Sequence, residues 1–427
     1  MERRRKEIMP GVMLTCLKTD KFKTGRLSVN LLTRLKKDRA AKNALTVSVL
    51  RRGTARHPDI ADISMLTDEL YGASVTPAVR KTGEIQVVGF FADFINDAFT
   101  PDSGITERVI ELTGELLLFP NTRGGLLLPE YVDSEKEKLS EKIRGRINDK
   151  RGYSVMRLYE LMCASEDYSV DKSGTLEELS AVNYIKLTKH YRALAAASPV
   201  EVFYCGCAES AEIESAVKNA FETLPRGEID QNIGTYVRMS AGAEDVRVFS
   251  EEMDVNQGKL AVGFRLGSCM KRPDRAVIRV FNALYGGSVN SKLFMNVREK
   301  LSLCYFASSG TDLHKGLLTV SSGIDFDKYD AALSEIAKQL DDIKKGEISD
   351  EELHAAKKSV ASDMRLISDS PAALESFYLD QNIIGSDCGP EELAALVEEV
   401  TRDSVVNTAA GVLCDTVYFL KGDKLGS

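Results

Sequence analysis

Apolar positions along the chain fall into two periods. Glu84 to Phe91, Val200 to Cys207, Lys259 to Leu266, Leu317 to Ser322 and Val417 to Leu420 are short runs rich in β-branched and aromatic residues, which predicts strands. Ile60, Ile63, Leu66 and Leu70 recur at helical spacing, as do Val277, Val280, Phe281 and Leu284. These two helices open alike. His57-Pro58-Asp59 precedes the first and Arg272-Pro273-Asp274 the second, and proline in a first turn loses no hydrogen bond. They also end alike, in Leu70-Tyr71-Gly72-Ala73-Ser74-Val75 and Leu284-Tyr285-Gly286-Gly287-Ser288-Val289, with Gly72 and Gly286 expected as left-handed caps.

The echo lies at an offset of 214 to 215 residues. Ser134-Glu135-Lys136-Glu137 and Ser349-Asp350-Glu351-Glu352 continue it, each expected to cap a long charged helix. Helix-start chemistry is common, but its recurrence at one spacing points to a duplicated unit. Strands and helices mix without a regular βαβ alternation, so the expected fold is α+β, two α/β-sandwich domains, each a mostly antiparallel sheet covered by helices. Pro225 to Val246 is polar, glycine-bearing and aperiodic. The expected domains are 1–225 and 247–427, joined by a linker at 226–246.

Composition narrows the class. The 427 residues suit several domains, and no segment reaches the ~18 to 20 continuous apolar residues of a membrane helix. The basic start Met1 to Lys6 leads into a mixed stretch broken by Pro10 and Gly11, which reads as a first strand rather than a secretion signal; a cytoplasmic protein is expected. A net charge of −8 argues against a nucleic-acid surface. The eight cysteines are scattered, and Cys205-Gly206-Cys207 has no second pair, so reduced cysteines packed in the interior are expected rather than a metal site. The four histidines, His57, His190, His314 and His354, never fall four apart, and each reads as a surface or cap residue. A zinc site on one helix face is therefore excluded. Gly286-Gly287-Ser288 follows a helix, so it is no phosphate loop, and Cys304 has no histidine nearby.

Tyr285-Gly286-Gly287-Ser288, Ser291-Lys292-Leu293-Phe294, Val297-Arg298-Glu299-Lys300-Leu301 and Cys304-Tyr305 carry a resemblance. With Ile348 to Leu353 they resemble the C-terminal domain of the insulinase and mitochondrial-processing-peptidase family, the inverted-motif zinc peptidases. Leu70 to Val75, Phe119-Pro120 and the helix from Glu135 to Ile143 resemble the N-terminal unit of the same family. Its active members hold zinc with His-x-x-Glu-His on a helix and a distal glutamate. Counting back from Gly53-Thr54 puts that motif on Ala44, Val47 and Ser48, none of which can bind metal; the distal glutamate falls on Glu141. Leu45 to Leu50 alternates like a strand, whereas the resemblance implies a helix. What remains is Arg298 and Tyr305, which resemble the family's clamp on the scissile carbonyl. The alternative is local: Arg298 paired with Glu299 or Asp312, and Tyr305 a half-buried strand aromatic.

The resemblance implies a non-catalytic subunit that holds no cofactor itself, with zinc only in a homologous partner, and a peptide substrate bound between them. Nucleic acid and membrane are not expected partners. A peptide-binding or scaffold homodimer with no peptidase role stays open.

Overall fold

The structure, a computed structural model, describes residues 1–271 and 274–422. Its contacts divide the chain into two units. The first comprises residues 1–144, 170–234 and 370–385; the second comprises 145–169, 235–369 and 386–427.

The first unit is built on a six-stranded sheet: β1 (Glu2–Met9), β2 (Val12–Lys18), β3 (Thr24–Arg34), β4 (Ser74–Thr82), β5 (Ile85–Ile95) and β6 (Val200–Gly206), in the order β1-β2-β6-β3-β5-β4. All neighbours are antiparallel except β2 and β6. Strand alternation sends Leu27, Val29 and Leu31 of β3 and Val200, Val202 and Tyr204 of β6 into one core. The helices Ala40–Leu50, Ile105–Leu118, Tyr184–Ala197 and Ser210–Phe221 close that core. The opposite face of β3 and β6 carries Ser28, Asn30 and Glu201, and the helix Pro371–Ile383 lies over it.

The second unit is built on five strands: β7 (Arg247–Met253), β8 (Gly258–Arg265), β9 (Cys304–Asp312), β10 (Leu317–Ile324) and β11 (Leu413–Gly422). Their order is β9-β10-β8-β11-β7, and only β11 and β7 run parallel. Read from the other end, β7-β11-β8-β10-β9 has the order and the strand senses of β2-β6-β3-β5-β4. Each unit is thus a mostly antiparallel sheet covered by helices, and the second repeats the topology of the first without β1. On one face Leu158 of the helix Lys150–Met162 packs against Ala261, Tyr418 and Leu420. On the other, Phe264 meets Tyr285 edge-on and Phe281 stacks on that ring.

Local chemistry explains most boundaries. Asp59 caps the helix Ile60–Glu69 through the Ala61 and Asp62 amides, and Gly72 turns the chain at φ +73°. Asp274 accepts from the Ala276 and Val277 amides, while Arg272 and Pro273, read as part of the same opening, lie outside the described residues. Ser349 and Glu352 form the expected capping box.

Two expectations need correction. The charged helix opens at Pro129, not at Ser134, because proline supplies the first turn and Ser134 becomes an interior residue. Gly286 is not a left-handed cap; the helix Arg275–Asn282 runs on as a π-helical turn, Ala283–Gly287. Gly286 is needed for another reason: a Cβ there would lie 2.8 Å from the Ser309 amide nitrogen of β9. Residues 225–246 form neither helix nor strand.

Candidate functional site

Ala44, Val47 and Ser48 lie on the helix Ala40–Leu50; the strand-like alternation of Leu45 to Leu50 is overridden by packing. Ala44 and Val47 are buried in the first unit's core. Ser48 is half-buried, and its hydroxyl donates to the Ala44 carbonyl at 3.2 Å. Glu141 is exposed near the end of the helix Pro129–Gly145. Zinc needs three or four nitrogen, sulfur or carboxylate ligands converging at about 2.0–2.3 Å. Two apolar side chains and one hydroxyl do not fit it. Among the described residues no group of three or more His, Cys, Asp or Glu side chains could hold a metal ion.

The other candidate residues stand in the second unit. Leu293–Lys300 is a π-helical segment, with the Leu301 amide bonded five residues back to the Asn296 carbonyl. Ser302 then takes φ +49°, a left-handed conformation uncommon outside glycine. Its amide bonds to the Arg298 carbonyl (3.1 Å), and the Leu303 amide to the Val297 carbonyl (3.0 Å). One tight reversal therefore joins Arg298, near the end of the helix, to Tyr305, near the start of β9.

Neither side chain is buried. Arg298 lies 4.6 Å over the Phe294 ring, and its Nε is 3.5 Å from Glu299, so Glu299 rather than Asp312 is its neighbour. Asp312 instead accepts from the Tyr168 hydroxyl. Tyr305 is 62% exposed, not half-buried, and its hydroxyl donates to Asp325 at 3.2 Å. A hydrogen bond and ion pair from Lys328 (2.9 Å) hold the Asp325 carboxyl below its ordinary range, and Lys328 also reaches the Ser302 carbonyl. Asp325 and Lys328 thus brace the turn and the phenol. They follow β10 and sit some twenty residues from Tyr305, where no spacing rule points to them. Among the described residues no hydrogen bond joins Arg298 to Tyr305; they share a turn, with guanidinium and phenol both open to solvent.

Among the cysteines, Cys16, Cys163, Cys205 and Cys304 are buried, and burial pushes the Cys205 thiol up to about 12. The other four are half-buried, short of the expected interior packing. No helix among the described residues is long and apolar enough to cross a membrane.

Two mostly antiparallel sheets of one topology, each covered by helices, are the architecture of the inverted-motif zinc peptidase class, and Ala44, Val47 and Ser48, where the resemblance puts its metal motif, carry no metal ligand. The comparisons agree. The family model of the peptidase M16 inactive domain matches residues 181–360. A probable inactive metalloprotease of Bacillus subtilis (strain 168), YmfF, is 33% identical over 415 residues, 96% of each chain. An uncharacterized zinc protease of Rickettsia bellii is 24% identical over 56% of each chain. A conserved protein from Enterococcus faecalis V583 has the same fold, with TM-score 0.89 and 28% identity over all of both chains. The peptidase M16 inactive domain from Pseudomonas fluorescens superposes with TM-score 0.79 at 14% identity, over 100% of this chain and 99% of that one. The chain belongs to the peptidase M16 family, as one of its inactive members.

Proposed function

We propose that this chain is the non-catalytic subunit of a two-chain zinc peptidase. Arg298 and Tyr305 contribute hydrogen bonds to a peptide carbonyl, and a homologous partner contributes the zinc. The observation that supports this most is the turn at Ser302, which presents a guanidinium and a phenol on one reversal with both side chains solvent-accessible. Donors aimed at a developing oxyanion stabilise it, and losing one typically costs about 10²- to 10³-fold in rate. Their present partners, Glu299 and Asp325, are exposed-surface contacts that a substrate can displace at little cost.

The test is reconstitution. The chain is mixed with an M16 homologue carrying His-x-x-Glu-His, and peptide cleavage is assayed. Cleavage is expected only from the mixture, with Arg298→Ala and Tyr305→Phe each lowering the rate without weakening association. Full cleavage by both variants would end the clamp role. Recovery from native cells as a homodimer with no zinc-bearing homologue would favour the peptide-binding or scaffold reading.

A further inference from the structure

A cavity of about 570 Å³ lies in the first unit, lined by the helices Ala40–Leu50, Leu176–Ser180 and Tyr184–Ala197 and the segments beside them. Its size suits a small-molecule ligand, for which pockets run ~300–1,000 Å³. At about 100° per residue, Lys42 in its wall is roughly 200° round the helix from Ala44. The cavity therefore opens away from the replaced zinc motif.

Its polar lining is divided. Lys42, Lys186 and Lys189 supply ammonium groups, while Asp38, Glu178 and His190 supply acceptors. The Lys42 and Lys189 ammonium groups make no hydrogen bond or ion pair among the described residues, and that of Lys186 makes one, to the Ala181 carbonyl (2.9 Å). His190 is held by a buried relay. Gln86 Nε2 donates to the carbonyls of Ala40 (3.0 Å) and Lys172 (2.6 Å). Carbonyls only accept, so Gln86 Oε1 must face Asn43 Nδ2 (2.7 Å). Asn43 Oδ1 then faces His190 Nε2 at 2.6 Å, and that nitrogen must carry the hydrogen. Burial, with Lys42 and Arg39 nearby, lowers the His190 pKa to about 4, so the ring is neutral at physiological pH. Its Nδ1 is left as an acceptor with no hydrogen-bond partner among the described residues. Glu178 repeats the pattern. Its Oε2 accepts from the Thr175 amide, while its Oε1 is buried without a hydrogen bond.

Unfilled acceptors and unpaired ammonium groups in one cavity call for a ligand of both signs. We propose that this cavity binds a small zwitterion, a free amino acid or short peptide, with its ammonium on Glu178 and His190 Nδ1 and its carboxylate on Lys42, Lys186 and Lys189. The site does not depend on the two-chain peptidase reading. A relay that fixes the ring tautomer would pre-organise the acceptor before ligand arrives.

The full chain, labelled with ¹⁵N-histidine, reports on this directly. The His190 signals are assigned by loss in His190→Gln. Tri-alanine, titrated to about 10 mM, is expected to move the Nδ1 resonance saturably. N-acetyl-tri-alanine and tri-alanine amide, each lacking one charge, are expected to bind about tenfold or more weakly, as is tri-alanine to Lys189→Ala. Lys42→Gln provides a second variant, each checked for folding by circular dichroism. No shift with tri-alanine would overturn the proposal. So would equal shifts from the blocked peptides, or from inorganic phosphate, which would mark a simple anion site.

Discussion

Arg265 of β8 is fully buried, as is Asp415 beside it, and the Glu166 side chain is nearly so. Its Nη2 lies 2.7 Å from Glu166 Oε1, and its Nε 3.0 Å from Asp415 Oδ2. Lys315, also fully buried, pairs with Glu166 Oε2 at 2.6 Å, and Arg247 pairs with Asp415. Arg265→Met keeps an unbranched apolar stem, two atoms shorter, and removes the charge. Deleting one partner of a buried pair costs ~3–5 kcal/mol, since it strands the other charge. Lys315 and Arg247 remain on the stranded carboxylates, so the lower end, about 3 kcal/mol, is expected. The two units need not unfold together, so a single denaturation midpoint is a poor readout. Native-state hydrogen exchange resolves them: about 3 kcal/mol is roughly 100-fold faster exchange in β8 and β11. Less than threefold acceleration there, or an equal acceleration in the first unit's strands, would refute the reasoning. Acid gives an independent check. Burial alone would raise the Glu166 and Asp415 carboxyls, but hydrogen bonds from Arg265 and Lys315, and from Arg247, Thr416 and Arg265, outweigh it and hold both below their ordinary range. A folded-state pKa below the unfolded one stabilises the fold above the ordinary carboxylate range, about 4, and that stability is lost as pH falls through and below it. In Arg265→Met both carboxyls rise, so acid exchange accelerates at higher pH than in the native chain.

Glu375→Gln tests the equivalent clamp in the first unit. Glu375 accepts from Arg80 through both oxygens (2.8 and 2.9 Å), from Ser28 (2.8 Å) and from Asn30 (3.1 Å), and an amide nitrogen cannot accept. A loss of about 2–3 kcal/mol is expected, read as faster exchange in Pro371–Ile383; unchanged exchange there would refute it. Ser349→Ala removes the cap of the helix Asp350–Ile367 and is expected to cost about 1 kcal/mol, localised by exchange to the first turn. Protection of that turn equal to the native chain's would count against the capping account.

The strands were legible because β-branched and aromatic runs such as Val200 to Cys207 and Leu317 to Ser322 are local signals, and the structure places β6 and β10 on them. The duplication was legible because capping residues recur at fixed spacing. Tertiary placement was not. Nothing in Lys150–Met162 or Pro371–Ile383 states which sheet each will cover; Glu375 and Asn382 find their partners only on the distant strands β3 and β6. His190 reads as a surface histidine because its relay joins three distant segments. The positions of Ala44, Val47 and Ser48 depended on resemblance, since a buried helix rich in β-branched residues alternates like a strand. Arg298 and Tyr305 were singled out by resemblance, but their braces Asp325 and Lys328 come from the far end of β10.

The two buried carboxylates answer a problem that the fold creates. Each sheet has a second face, and in each unit one helical segment covers it, reached by a chain crossing at 144–145 or 369–370. Apolar contact alone would fix such a segment only loosely, because the hydrophobic effect has no direction. Glu166 and Glu375 each meet a sheet arginine through both oxygens, a fork geometry with one orientation. The arginines are not counterparts under the duplication: Arg265 lies on β8, which corresponds to β3, whereas Arg80 lies on the edge strand β4. An inherited pair would occupy matching strands. The same device at unmatched positions therefore points to a shared physical demand, orienting a covering segment on its sheet, and not to an inherited pair.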